Sequence, residues 1–202
     1  MNLRVVGCSH HNVPIAVREQ LAFSPEQCRC ALTRFRQEFP EAEAVLLSTC
    51  NRVELYTASE TLDGPTRPEV VAFLAQCHGL EAESVDAHLY EHVGEASVRH
   101  LFTVAASLDS MVVGEPQILA QVKQAYQTAV EQASAGPLLH GAFQAALKSA
   151  RRIAGETAIH QRRVSVPSVA VADFAQQIFE RFDDKNTLVL GAGEMAEETL
   201  RY

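Results

Sequence analysis

The stretch AVLLSTCNRVELYT, residues 44–57, decides the fold because it holds two strand patterns separated by a short polar connection. Residues 44–49, which begin with four apolar side chains, have the pattern of a buried strand, and residues 53–57 alternate apolar and polar side chains, so two successive strands are predicted. The connection at 50–52 is Cys-Asn-Arg. Since functional groups are concentrated in loops positioned by rigid elements, Cys50 is the first candidate functional residue.

The segment before this hairpin predicts one strand and one helix. Residues 3–8 have the pattern of a short buried strand, and the polar residues at 9–12 followed by Pro14 predict a loop before the helix. Ser24 can serve as an N-cap, with Pro25 at the first helical position and Gln27 completing a capping box. We therefore expect a helix from Pro25 to Phe39.

The segment after the hairpin changes from mixed structure to helix near residue 95. Before that point we expect a turn at 63–65, a helix at 69–78 and a strand at 89–93. Beyond it, a long helical spine is predicted from helices at 96–108, 116–135, 138–159 and 168–182. A strand at 187–190, a glycine turn and a helix start follow.

These elements predict an α+β fold in two parts. Residues 1–160 would form a domain with a mixed or antiparallel sheet and a helical spine, and residues 161–202 would begin a Rossmann-type α/β domain. The 202 residues, 47% hydrophobic and 21% charged, are enough for a core that needs no disulfide or metal.

The net charge of −8 excludes a general polyanion binder whose affinity comes from bulk positive charge. Any phosphate contact has to be local, and the candidates are the pairs Arg151-Arg152 and Arg162-Arg163, with Lys148 one turn before the first pair. Such pairs are either solvated helix faces or phosphate contacts.

The cysteines and the apolar runs indicate the compartment. Five cysteines without CxxC spacing predict reduced thiols in the cytoplasm. No signal-peptide pattern opens the sequence and no apolar run reaches 18 residues, so no membrane segment is expected. His10 and His11 are adjacent and do not make a zinc set.

Cys50 and His100 have two interpretations each. A free thiol has a pKa of about 8.5, and the positive charge of Arg52 two residues later would raise the thiolate fraction of a nucleophile. The alternative is an inert core cysteine. His100, on an amphipathic helix, is either a hydrogen-bonded helix residue or a proton carrier.

Two further patterns point to ligands. Gln117, Gln121 and Gln124 share one helical stripe, where their amides are either polar ligand contacts or ordinary surface residues. The G-x-G-x-x-A turn at 191–196 follows a predicted strand and opens a helix, which is typical of a dinucleotide phosphate site, although plain glycine turns also follow strands.

Taken together, STCNRVELY at 48–56, SLDSMVVGEPQILAQVKQAY at 107–126, SVPSVAV at 165–171 and LVLGAGEMAEETL at 188–200 strongly resemble the glutamyl-tRNA reductases. The order and spacing of these segments match as well, and the resemblance extends over essentially all 202 residues. It implies NADPH-dependent reduction of glutamyl-tRNA to glutamate-1-semialdehyde, the first step of the five-carbon route to tetrapyrroles.

The resemblance also implies roles for particular residues. Cys50 would form a thioester with the glutamyl group, His100 would be the second catalytic residue, and Arg52 would pair with a substrate carboxylate. The glutamate pocket would consist of Thr49, Cys50, Asn51, Arg52, Ser110, Glu115, Pro116, Gln117 and Gln121. The cofactor phosphates would lie on Gly191, Ala192, Gly193, Glu194, Met195 and Ala196.

For the whole protein, the resemblance implies a homodimer formed through a C-terminal domain, with product channeling to glutamate-1-semialdehyde aminomutase. This chain is expected to end early in the NADPH-binding domain. Two alternatives remain open at this point: a non-catalytic module that binds tRNA or a protein, and a thioester reductase for a small acyl metabolite.

Overall fold

The computed structural model describes residues 2–61 and 64–159, and after them residues 171, 175–179, 181, 184–186, 188–191 and 193–200. Its sheet has four strands in the order β2-β3-β1-β4, and all three pairings are antiparallel. The strands are β1 (Asn2–Ser9), β2 (Glu43–Ser48), β3 (Arg52–Ser59) and β4 (Tyr90–Val93).

Seven helices precede residue 160, and they confirm the predicted α+β architecture. Their bounds are α1 (Ile15–Leu21), α2 (Pro25–Glu38), α3 (Arg67–Cys77), α4 (Ala82–Asp86), α5 (Glu95–Ala105), α6 (Gln117–Glu131) and α7 (Pro137–Glu156). The segments Gln176–Ile178 and Glu194–Thr199 are also helical.

The central strand β3 lies between β2 and β1, and each of its eight residues is buried. Its register places Val53 opposite Cys8 of β1 and opposite Ser48 of β2. At Gly7 the neighbouring backbone is so close that a Cβ would lie 2.3 Å from the carbonyl oxygen of Val53. The close approach of β1 and β3 therefore requires glycine at this position.

Helices α6 and α7 cover one side of the sheet through an aromatic cluster. The ring of Phe143 on α7 stacks on Tyr126 of α6 at a centroid distance of 5.8 Å and meets Tyr56 of β3 edge-on at 5.3 Å. The carboxylate of Glu43, the first residue of β2, accepts hydrogen bonds from the backbone N–H groups of Leu138 and Leu139. These two hydrogen bonds fix the start of α7 to the sheet, because the first N–H groups of a helix have no partner inside the helix.

The predicted start of α2 is confirmed in detail. The side chain of Ser24 accepts from the backbone N–H of Gln27, and the Gln27 side chain accepts from the backbone N–H of Ser24. Pro25 occupies the first helical position. The predicted bounds of the hairpin and of α3, α6 and α7 agree with the structure within a few residues at each end.

Several predicted elements differ. Helices α1 and α4 had no prediction. Helix α5 ends at Ala105, three residues before its predicted end, and Ser107 has a φ of +60°. Much of the helix predicted at 168–182 lies outside the described residues, as does Thr187. The rest of the strand predicted at 187–190 is not found: Leu188 and Leu190 are 82% and 88% exposed, and no described residue pairs with them. A strand exists only by pairing, so the Rossmann-type start and the boundary at 160 stay predictions.

Candidate active site

Cys50 lies at the tip of the turn that joins β2 to β3. The hydroxyl of Thr49 accepts hydrogen bonds from the backbone N–H groups of Asn51 and Arg52, both at 3.1 Å, and the Thr49 N–H donates to the Arg52 carbonyl at 2.8 Å. These bonds close the turn with Cys50 on its outside, and Cys50 is exposed. The geometry excludes the alternative of a buried, inert cysteine at this position.

Two further segments hold this turn in place. The backbone N–H of His10 donates to the Asn51 carbonyl at 2.9 Å. The guanidinium of Arg18 on α1, a buried residue, donates to the Cys50 carbonyl at 3.2 Å and to the Val13 carbonyl at 2.7 Å. The backbone of Cys50 is therefore fixed from both sides, which is the arrangement that a positioned nucleophile needs.

A row of polar side chains runs inward from the turn along one face of β3. Arg52, Glu54 and Tyr56 are two residues apart and so share a face of the strand. The carboxylate of Glu54 accepts from the Arg52 guanidinium at 2.7 Å and from the Tyr56 hydroxyl at 2.6 Å. All three side chains are almost completely buried.

Two more donors converge on the same carboxylate from β4 and α5. The Tyr90 hydroxyl donates to Glu54, and the Nε2 atom of His100 lies 2.9 Å from the same oxygen. Burial raises the pKa of Glu54, but the hydrogen bond from His100 and the charge of Arg52 outweigh it and bring the pKa to about 2. Because ionised Glu54 can only accept, His100 has to carry a proton on Nε2.

Asp109 connects the loop between α5 and α6 to the turn. Its Oδ2 atom lies 3.0 Å from the Arg52 guanidinium, which also donates to its backbone carbonyl, and its Oδ1 atom lies 3.0 Å from Nε2 of His11. The loop is closed by a hydrogen bond from the Ser107 hydroxyl to the Glu115 carbonyl at 2.7 Å. Ser110, the next residue after Asp109, is thereby held at the same edge of the sheet as Cys50.

Comparisons with known proteins point to one family. The family model for the N-terminal domain of glutamyl-tRNA reductase matches residues 6–157. The chain belongs to the glutamyl-tRNA reductase family.

The reductases it resembles are bacterial and archaeal. It is 48% identical over all 202 residues to the glutamyl-tRNA reductase of Rhodopirellula baltica, covering 47% of that protein, and 45% identical to that of Rubrobacter xylanophilus, covering 46%. The solved glutamyl-tRNA reductase from Methanopyrus kandleri superposes with a TM-score of 0.66 at 33% identity, over 98% of this chain and 45% of that one. The chain spans about half the length of the curated relatives it matches.

Arg52 is bound to other groups of the protein in this structure, and its predicted pairing with a substrate carboxylate stays a prediction. Both terminal nitrogens of its guanidinium already bond Glu54 and Asp109, and the side chain is 1% exposed. Pairing with a substrate carboxylate would use the remaining N–H donors of this buried guanidinium or exchange one of these bonds. In this structure, Arg52 holds the loop of Asp109 against the turn of Cys50.

The remaining pocket residues predicted from the reductase resemblance gather around the start of α6. Ser110, Glu115, Gln117 and Gln121 are half-buried, and Pro116 is exposed. Across residues 64–159, no side-chain hydrogen bond occupies the amides of Gln117 or Gln121. These amides are therefore available to a polar ligand, and their contact with the substrate stays a prediction.

The glycine turn predicted to hold the cofactor is only partly described. Gly191 has a φ of +119°, and a Cβ at Gly191 or Gly193 would meet nothing within 4 Å. A helix follows at Glu194–Thr199, Ala192 lies outside the described residues, and so do the side chains of Glu194 and Met195. The helix and the glycines have the local geometry of a phosphate cradle, but the described residues supply no strand before them, so cofactor binding at this turn stays a prediction.

Sequence reasoning missed Glu54, Asp109 and Tyr90, and set His10 and His11 aside. The signal for Glu54 was present: a carboxylate in a strand next to an apolar strand, two residues from Arg52 and two from Tyr56. Burial, together with the charges of His11 and Arg52, lowers the pKa of His10. No set of three or more His, Cys, Asp or Glu residues in the described part of the chain could hold a metal ion.

No helix among the described residues is long and apolar enough to cross a membrane.

Proposed function

We propose that the protein containing this chain reduces glutamyl-tRNA to glutamate-1-semialdehyde with NADPH, the first step of the five-carbon route to tetrapyrroles. In this proposal the chain supplies the nucleophile and the glutamate pocket. The observation that carries the proposal is the exposed thiol of Cys50, on a turn whose backbone is fixed by Thr49, His10 and Arg18. The names of the relatives support the same activity.

The first step is acyl transfer to Cys50. The thiolate attacks the carbonyl carbon of the glutamyl ester, a carbon–sulfur bond forms, and the bond to the ribose oxygen breaks. The ribose oxygen leaves with a proton, and the glutamyl group stays on Cys50 as a thioester. A thioester is a good hydride acceptor, since sulfur donates poorly into the carbonyl.

The second step is reduction. NADPH bound by the whole protein would supply the hydride, with its two electrons, to the carbonyl carbon. The role of this chain is to keep the glutamyl group in the pocket and to release the aldehyde, with the sulfur of Cys50 leaving as thiolate.

We propose that His100 handles a proton in this reaction. Its Nε2–H is held by the buried carboxylate of Glu54, which leaves Nδ1 as the atom with a free lone pair. A carboxylate that fixes the tautomer and orientation of a histidine is a recurring arrangement in catalysis. We propose that Nδ1 of His100 accepts a hydrogen bond or a proton during acyl transfer.

Glutamate recognition is assigned to the residues around the start of α6. Ser110 and the amides of Gln117 and Gln121 can bond the polar groups of glutamate, with Glu115 and Pro116 shaping the pocket. The turn residues Thr49 and Asn51 lie at the carbonyl that is attacked. Arg52 acts behind the pocket, through Asp109 and Glu54.

The proposal is tested by mass spectrometry after incubating the chain with glutamyl-tRNA. We expect a glutamyl adduct on Cys50 that hydroxylamine removes, and none in the Cys50→Ser variant. Iodoacetamide gives an independent test with a matched control, since Cys30 is exposed as well. Cys50 should be alkylated faster than Cys30, and both faster than Cys8, whose pKa burial raises to about 11. An adduct on another cysteine, or none, would refute the assignment.

The finer parts of the proposal concern the whole protein. They are a homodimer, channeling of the product to glutamate-1-semialdehyde aminomutase, and a cytoplasmic location, where the thiol of Cys50 stays reduced.

Offering a small acyl phosphate beside glutamyl-tRNA separates this reductase from one that acts on a small metabolite. The small acyl donor should give the slower acylation of Cys50.

A further inference from the structure

A groove between α6 and α7 concentrates positive charge in a chain whose net charge is −8. It encloses about 600 Å³, and we call it the basic groove. Its lining has no acidic residue and consists of Lys123, Tyr126, Gln127, Gly141, Gln144, Ala145, Leu147, Lys148 and Arg151.

Helical spacing explains why these residues face one another. Gln144, Lys148 and Arg151 on α7 are four and three residues apart and form one stripe. Lys123 and Gln127 on α6 are four residues apart and form the opposite wall. The groove thus has Lys123 on one wall and Lys148 and Arg151 on the other, with a glutamine amide one turn from each lysine.

The cations of the groove differ from the neighbouring Arg152 in their pairing. Within the described ranges, no carboxylate pairs with Lys123, Lys148 or Arg151. By contrast, Arg152 is paired with Glu156 on the same helix at 3.1 Å. The structure therefore separates the Arg151-Arg152 pair into one residue satisfied within α7 and one that is available to an external anion.

The position of the groove relates it to the site. Helix α6 begins at Gln117 in the predicted glutamate pocket, and Lys123 and Gln127 lie six and ten residues further along. At 1.5 Å per residue, the groove starts about 9 Å along the helix axis from the pocket and extends to about 15 Å. Lys123 follows Gln117 by about 1.7 helical turns and therefore lies about a third of a turn around α6 from it. A ligand seated at Cys50 would reach these cations if it is long enough to leave the pocket along α6 and pass around the helix.

We propose that the basic groove binds the phosphodiester backbone of the RNA whose glutamyl end lies at Cys50. This inference rests on the proposed function, which supplies an aminoacylated RNA as the substrate. Lysine and arginine charges neutralise phosphates, and glutamine amides add hydrogen bonds to phosphate and sugar oxygens. The groove adds affinity and direction to binding without reading sequence.

The expected effect follows from counterion release. Each phosphate contact contributes about −0.7 to −0.9 to the slope of log K against log salt. Loss of all three cations should reduce the slope by about 2 to 3. Between 50 and 200 mM salt this corresponds to about a 20- to 40-fold difference in affinity.

The test measures acylation of Cys50 at varied concentrations of glutamyl-tRNA and of salt. The groove variant combines Lys123→Gln, Lys148→Gln and Arg151→Gln. A control variant combines Arg29→Gln, Arg36→Gln and Arg152→Gln, which are exposed residues elsewhere on the surface and give the same net charge. A small glutamyl thioester without phosphate groups is the second acyl donor.

We expect the groove variant to need at least ten-fold more glutamyl-tRNA at 50 mM salt, with a flatter salt dependence and unchanged acylation by the small thioester. Equal losses in the groove and control variants would overturn the inference, because net charge alone would explain them. If glutamyl-tRNA acylates the groove variant as readily as the wild type, the inference is overturned and the proposed function is retained. Absence of wild-type acylation by glutamyl-tRNA would refute both.

A charge-conserving variant guards against a folding defect. Lys123→Arg, Lys148→Arg and Arg151→Lys together retain three cations in the groove. We expect this variant to keep the affinity and salt slope of the wild type. A loss as large as that of the groove variant would show that packing, and not charge, matters at these positions, and would also overturn the inference.

Discussion

Replacing Glu54 by glutamine should destabilise the fold and displace the candidate site together. The carboxylate of Glu54 accepts hydrogen bonds from Arg52, Tyr56, Tyr90 and His100 and is completely buried. Glutamine is nearly isosteric, but it has one acceptor oxygen and directs an NH₂ donor at groups that also donate. The change therefore leaves buried donors unsatisfied and leaves Arg52 with Asp109 as its charged partner.

Two routes give the same magnitude for this loss. The pKa of Glu54 is about 2, against an ordinary value of 4.5, and each pKa unit corresponds to about 1.4 kcal/mol, which gives about 3 kcal/mol. Removing one partner of a buried ion pair costs about 3 to 5 kcal/mol in other proteins. We expect the free energy of unfolding at pH 7 to fall by about 3 to 5 kcal/mol.

The pH dependence gives the prediction a sign. Because folding lowers the pKa of Glu54, its contribution is complete above about pH 4.5 and is lost as the pH falls through about 2. The difference between wild type and Glu54→Gln should thus be constant from pH 7 to about 5 and shrink below it. Glu54→Gln should also reduce Cys50 acylation at pH 7 in the fraction that stays folded, because His100 loses its anchor.

Urea unfolding followed by circular dichroism measures this difference, with Glu60→Gln as the control. Glu60 is exposed just beyond the end of β3 and should change stability by less than about 0.5 kcal/mol. A Glu54→Gln variant within 1 kcal/mol of wild type, or a difference that grows as the pH falls, would contradict the role assigned to this carboxylate.

Three further predictions concern the fold. Gly7→Ala should cost about 3 kcal/mol or more, since its Cβ would meet the Val53 carbonyl, whereas Gly141→Ala in α7 meets nothing and should stabilise by about 0.5 to 1 kcal/mol in the same assay. Ser24→Ala removes the capping bond of α2 and should lower the free energy of unfolding by about 1 kcal/mol; an unchanged value would refute the cap. Phe143→Ala should cost about 3 to 5 kcal/mol, and a loss below 1 would show that the aromatic cluster is not the core.

Local sequence patterns were sufficient for most elements of the fold. The hairpin follows from the apolar run of β2 and the alternation of β3, and the start of α2 follows from Ser24, Pro25 and Gln27, because each depends on neighbours in the chain. Helix α4 has five residues, too few for a periodic pattern. The strand predicted at 187–190 was wrong for a different reason. An apolar run favours a strand, but a strand also needs a pairing partner, which depends on residues far away in sequence.

The nucleophile of the candidate site could be predicted from the sequence, but the residues that hold it in place could not. Cys50 stood out by its place between two strands, and the family resemblance supplied Ser110, Gln117 and Gln121. The partners of Arg52 could not be read from spacing alone, as Asp109 lies 57 residues away. A guanidinium beside a thiol suggests an open cation, and only the tertiary structure shows that two carboxylates already neutralise it.

The buried charges of β3 are better explained by their role in positioning other segments than by a contribution to stability. A buried ion pair gives little net stabilisation compared with apolar side chains of similar size, so a purely structural strand would have no need of Arg52 and Glu54. Here the pair receives His100 from α5 and Asp109 from the loop before α6, and it starts at the turn that carries Cys50. Three segments distant in sequence are thereby set at fixed distances around one thiol. This accounts for a costly polar cluster in the most buried strand of the sheet, and it is why the Glu54→Gln variant should lose acylation as well as stability.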